Sequence, residues 1–127
     1  MRVAVYGMAR SRLVELVRAH GGPDTTVLAV SDYEAAMDLR AGKADLGIGV
    51  CQSGAGGALA VARALLGTDR CLQVSSPSRP PQEEQIRGAV REGKKAYGIA
   101  LSHVNVAVPM IMAAFKEAAG PQSEAAS

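Results

Sequence analysis

The chain has 127 residues, 14 lysines and arginines against 12 acids, and a net charge of +2. That length suits one domain with one core, and so small and mixed a charge does not point to nucleic acid. One phenylalanine, three tyrosines and no tryptophan argue against a surface built on stacked bases or sugars.

In chain order, "RVAVY" at Arg2 to Tyr6 predicts a first strand. Leu13, Leu16, Val17 and His20 then fall at helical spacing, and Gly21, Gly22 and Pro23 stop that helix. "TTVLAV" is a second strand, apolar without alternation as in a strand covered on both faces. Ser31 and Glu34 form a capping box for a second helix, which carries Tyr33, Ala36 and Met37 on one face and ends near Gly42. "ADLGIGV" is the third strand. A glycine-rich bend, Cys51 to Gly57, leads into a helix that Gly67 ends. "RCLQVS" is the fourth strand. "SPSRPPQEEQ" enters a helix with Ile86, Ala89 and Val90 on its buried face and Glu83 and Glu84 at its positive end. "KAYGIAL" is the fifth strand, and "SHVNVAVPMIMAAFKEAAG" the last helix, with Pro109 inside it.

Five alternations of strand and helix predict a three-layer α/β/α sandwich on a five-stranded parallel sheet, Rossmann-like or flavodoxin-like. The common strand order for that class is 2-1-3-4-5. Residues 1–119 read as a single domain, and residues 120–127 as a disordered polar tail. The last helix has almost no polar face, so a homodimer through it is expected. No apolar run is long enough for a membrane span, and the N-terminus lacks the apolar core of a signal peptide. A cytoplasmic protein with two free thiols is expected, with no membrane partner.

In such sheets the ligand crevice lies beyond the carboxyl ends of the strands, where the order reverses. The segments "GMARSR" and "CQSGAGG" meet there under the expected order. Gly54, Gly56 and Gly57 permit close approach to the backbone, and the next helix begins with free amides. Gln52, Gly54, Ala55, Gly56 and Gly57 are therefore candidates to hold a small anionic metabolite, with Arg10, Ser11 and Arg12 as further anion-binding candidates. Arg79, after the fourth strand, is another possible clamp. Cys51, just before those amides, is a candidate base or nucleophile because a helix N-terminus favours thiolate. His103, after the fifth strand, is the better histidine for acid–base work. No set of metal ligands and no cofactor fingerprint is visible.

Two resemblances rest on these residues. The segments "SDYEAAMDLRAGKADLGIGVCQSGAGGALAVARALLG", "EEQIRGAVREGKKAYGIA" and "SHVNVAVP" resemble a family of small bacterial proteins without assigned function, the one that includes YhfU. The stretch Cys51-Gln52-Ser53-Gly54-Ala55-Gly56 fits C-x-[ST]-G-x-G. It resembles the active-site loop of the ribose-5-phosphate isomerase B and galactose-6-phosphate isomerase family. That resemblance implies a phosphorylated small ligand, Cys51 as proton-abstracting base, and Ser53 with the loop amides holding an enediolate. Three departures stand beside it. Met8-Ala9-Arg10-Ser11 replaces the family's Asp-His-Ala-Gly stretch, Gln52 replaces a glycine, and the ring-opening histidine has no counterpart. A non-catalytic metabolite-binding or regulatory subunit, and a phosphocarrier loaded on Cys51, are the other readings of the same loop.

Overall fold

The computed structural model describes the backbone of residues 1–126 and the side chains of residues 1–120. The tail expected over residues 120–127 thus falls almost wholly outside the described side chains.

The elements are β1 (Arg2–Gly7), α1 (Arg10–Gly21), β2 (Thr26–Ala29), α2 (Asp32–Arg40), β3 (Leu46–Cys51), α3 (Gly56–Leu66), β4 (Cys71–Gln73), α4 (Glu83–Arg91), β5 (Ala96–Ala100) and α5 (Val104–Ala126). All strand pairings are parallel, and the order is β2-β1-β3-β5-β4. The expected order placed β4 beside β3. Instead β5 enters between them, pairing Cys51 with Ala100 on one side and Leu72 with Tyr97 on the other. The residues give the reason. β5 is apolar throughout and wholly buried, whereas β4 has three residues and leaves Leu72 and Gln73 half-exposed. The fully apolar strand takes the interior position and the short mixed one the edge. β2 is the other edge. Thr26 and Ala29 are exposed, so it is not covered on both faces as its composition suggested.

Because the chain returns inward from β4 to β5, right-handed crossovers place α4 on the same face as α1. α5 lies between them on that face, and α2 and α3 pack together on the other. The two halves of the core differ in kind. Val3, Val5, Leu46, Ile48, Val50, Tyr97 and Ile99 face α1, α4 and α5. The alternate positions, Ala4, Gly47, Gly49, Ala96 and Gly98, face α2 and α3. Small residues there let those helices sit close to the sheet. A Cβ on Gly47 would come within 2.8 Å of Leu39, and one on Gly49 would overlap the ring of Tyr6.

The all-round apolar character of α5 has a local cause. Val104, Ala107, Val108, Ile111, Met112 and Ala114 are buried within the protomer by its central place in the layer. Pro109 sits in its second turn without ending it. On α2 the buried residues are Ala35, Ala36 and Leu39. Tyr33 and Met37, expected on the packed face with Ala36, are 57% and 37% exposed. The cap forms from Ser31, which accepts from the Glu34 amide at 3.1 Å while the two side chains meet at 3.2 Å. No helix among the described residues is long and apolar enough to cross a membrane.

Tyr6 ties the sheet to α3. Its ring covers Gly49, and its buried hydroxyl donates to the Ala58 carbonyl at 2.7 Å. Burial pushes its phenol well above the ordinary range. Tyr6→Phe is expected to cost about 1 kcal/mol, the net worth of one such bond, measured as a shift in urea midpoint with an unchanged slope.

Candidate functional site

The site begins at the carboxyl end of β3, the central strand. Odd positions of β3 face α3, so Cys51 follows Gly47 and Gly49 on that side. The chain then turns back over β5. Gly54, at φ 82°, is buried where any side chain would overlap the Ser75 carbonyl and approach the Ala100 amide to 3.0 Å. Gln73 at the end of β4 donates through Nε2 to the Ser53 carbonyl at 3.0 Å. Buried Ser75 accepts the Ala100 amide at 3.1 Å. The ends of β4 and β5 thus fix the turn that follows β3.

This turn aims its donors inward. The Gly54 amide points at Cys51 Sγ at 3.2 Å. Ser53 Oγ accepts from the amides of Ala55 at 3.2 Å and Gly56 at 3.1 Å. With two donors already on its oxygen, the Ser53 hydroxyl has its own proton free for Cys51 Sγ, 3.6 Å away. Burial alone would raise the Cys51 thiol. The Ser53 hydroxyl and the amides of Ala58, Gly54 and Ser53 together outweigh it and hold the thiol below its ordinary range. The positive end of α3 therefore serves the cysteine first. Cys51 remains partly exposed, as do Gln52, Ser53, Gly56 and Gly57 beside it. The exposed Gly57 amide has no hydrogen-bond partner among the described residues.

The other candidates lie on the same edge of the sheet, and among the described residues none of their side chains hydrogen-bonds this turn. Arg10 opens α1 and reaches the Val30 carbonyl at 3.5 Å. Ser11 is exposed beside it. Arg12 is engaged elsewhere, donating through Nε to Asn105 Oδ1 at 2.9 Å and lying 3.6 Å from Glu15. That bond bridges α1 and α5 across the front of β3 on the face away from Cys51. His103 ends a 3-10 turn between β5 and α5, and its buried Nδ1 has no hydrogen-bond partner among the described residues. No hydrogen bond among the described residues joins it to Cys51. Arg79 is turned onto the chain, donating to the Gln73 carbonyl at 3.1 Å and to Val74 at 3.5 Å. Cys71 begins β4, at the other end of the sheet, and burial pushes its thiol up.

Gln73 and Asn105 are the residues that sequence reasoning missed. Both are polar side chains at the ends of otherwise apolar elements, and a lone amide in that place is the signal that was there to find.

The family described as "Protein of unknown function DUF2620" matches residues 1–115. Similar curated proteins are "Uncharacterized protein YhfU" from Escherichia coli strain K12, from Escherichia coli O6:H1 and from Shigella flexneri. Each is 32% identical over 111 residues, covering 87% of this chain and 95% of the relative. No solved structure matches. The chain belongs to the DUF2620 family.

Proposed function

We propose that this DUF2620 protein acts on a small anionic, phosphorylated metabolite at the turn from Cys51 to Gly57, with Cys51 as the base. The observation that carries this reading is the amide and hydroxyl shell around a partly exposed Sγ, which favours a charged sulfur at the edge where α/β sheets bind ligands. The local resemblance to sugar-phosphate isomerases names the matching chemistry. The thiolate takes the proton from the hydroxyl-bearing carbon next to a carbonyl, and the electron pair moves onto the carbonyl oxygen. The thiol then returns the proton to the former carbonyl carbon while the hydroxyl proton passes to the oxyanion, so that the hydroxyl oxygen becomes the new carbonyl. As Cys51 Sγ gains its proton it no longer needs the Ser53 hydroxyl, which turns to the developing oxyanion beside the Gly57 amide. Arg10, whose one side-chain hydrogen bond among the described residues is the long contact to Val30, meets the anionic end with Ser11. Gln52 lines the open side, and His103 serves proton exchange at the far rim.

The test follows exchange of the substrate carbon-bound hydrogen in D2O across a panel of aldose and ketose phosphates. The expected result is exchange with one class of phosphate, lost in Cys51→Ala. Stabilisation by these phosphates without exchange favours the second reading, a non-catalytic binding subunit, whose support is that the loop after β1 brings no acid–base pair. No thermal shift with any of them overturns both.

Association of two chains through α5 is a separate proposal. It would use the exposed Asn105, Val106 and Ala113, and a mass of one protomer in light scattering would refute it.

A further inference from the structure

We propose a second ligand site at the opposite edge of the sheet, in the cavity between the C-terminal ends of α2 and α3, that takes an organic anion with an apolar body. The cavity is about 420 Å³, within the usual range for small-molecule sites. Leu39, Leu65 and Leu66 form its apolar wall, and Arg40, Arg70 and Lys95 supply its charge. No carboxylate among the described residues lines it. Among the described residues, none of these three cations forms an ion pair.

The contrast with Arg87 shows that this is not the general habit of the surface. Arg87 also lines a groove, between α4 and α5, yet Glu83, Glu84 and Glu117 surround it at 3.0, 3.0 and 3.1 Å. The helix ends at the proposed site do not neutralise it either. Each C-terminus carries about half a negative charge, so α2 and α3 together offset roughly one of three positive charges. The remainder repel one another until an anion arrives.

Two of the cations are also well placed. The Lys95 amide donates to the Arg70 carbonyl at 2.8 Å, and the Lys95 carbonyl accepts from Gly47 at 2.8 Å, so the sheet sets the spacing of both residues. Arg70 Nη1 is anchored on the Gly93 carbonyl at 3.0 Å, which leaves its other nitrogens to bind. A phosphate or carboxylate between the three cations would lay an attached alkyl or ring body on the leucines. The length of β3, roughly 17 Å at 3.3 Å per residue, separates this site from Cys51.

Calorimetric titration with n-octyl phosphate, below its aggregation concentration, tests the proposal, with n-octanol and inorganic phosphate as the two halves of the probe. Octyl phosphate should bind at least tenfold tighter than either half. Arg40→Gln with Lys95→Gln should weaken it at least tenfold, while Cys51→Ser and Arg10→Gln bind as the parent does. Circular dichroism checks that the double variant folds; if it does not, Arg40→Glu alone carries the comparison. Octyl phosphate binding no better than octanol, undiminished binding in the cation variants, or loss of binding in Cys51→Ser or Arg10→Gln would each overturn the assignment. The last would place the probe at the β3 turn instead.

Discussion

Iodoacetamide is expected to modify Cys51 at a pH where Cys71 does not react, and Ser53→Ala is expected to slow that reaction on the order of tenfold. One hydrogen bond to a charged group is worth about 1.5 kcal/mol or more, which is that factor in thiolate fraction. The Ser53 hydroxyl donates such a bond and also holds the Ala55 and Gly56 amides. Its loss should therefore cost roughly 1 kcal/mol of stability as well, the worth of a helix cap. Cys71, buried at the start of β4 with its thiol pushed up, supplies the internal reference. The same shell makes a pH-dependent contribution to stability. The folded Cys51 thiol lies below its unfolded value of about 8.5. Between the two, the unfolded chain holds more protons, so the contribution grows as pH rises through that window and is complete above it. As pH falls through the folded value it is lost. Cys71 works in the opposite sense, its contribution full below the unfolded value and lost as pH climbs through the raised one. The difference between the parent and Cys51→Ser, followed across pH, isolates the first term. A Cys51 that alkylates no faster than Cys71, or a difference flat in pH, would remove the ground for assigning it chemistry.

The α/β class, the parallel pairing and the turn after the third strand were legible because they rest on local patterns: apolar runs, glycine stops and the Ser31 cap. The strand order was not. Both orders satisfy right-handed crossovers and differ only in whether β5 goes outside or inside β4. The discriminating signs are small ones, a polar Gln73 in β4 and an unbroken apolar run with a central Gly98 in β5. From that one exchange the rest follows. α4 changes face, α5 acquires neighbours on both sides, and its apolar surface is used within the protomer. In the site, residue types were legible and directions were not. The glycines did mark close backbone approach, but at Gly54 the approaching group is the chain's own Ser75 and Ala100. The amides were expected to face a ligand. Those of Gly54, Ala55 and Gly56 face Sγ and Ser53 Oγ instead, because Gln73 and the end of β5 hold the turn in that attitude. The Gly57 amide alone of the four has no partner among the described residues.

Gly98→Ala and Gly49→Ala are expected to be among the most damaging single methyl additions in this chain, and Gly88→Ala to be favourable. Gly49 and Gly98 are register partners on the central strands, and both open toward α3. A Cβ on Gly98 would overlap the Gly54 carbonyl oxygen and lie 2.7 Å from Leu59 Cγ. One on Gly49 would overlap the Tyr6 ring and sit 3.0 Å from the Ala58 carbonyl. Neither neighbour is a loose side-chain end. One is backbone already wedged against β5, and the other is a buried ring anchored by its hydroxyl. Overpacking of this kind costs about 3 kcal/mol, and the backbone preference of alanine over glycine returns less than about 1. Against a total of roughly 5–15 kcal/mol for a domain, that is a large share. Gly88 has nothing within 4 Å of its would-be Cβ and lies in the middle of α4, so alanine there should add up to about 1 kcal/mol. Gly98→Ala also reaches the chemistry. Displacing the Gly54 carbonyl tilts the Ala55 amide of the same peptide plane, which donates to Ser53 Oγ, and so disturbs the hydroxyl that meets Cys51. Thiol reactivity should drop even where the variant folds, whereas Gly88→Ala should leave it alone. Denaturant midpoints and alkylation rates on the three variants read both effects. Equal stability across the three would mean that α3 and its turn stand off from the sheet, and that no shell of amides is pressed onto the sulfur.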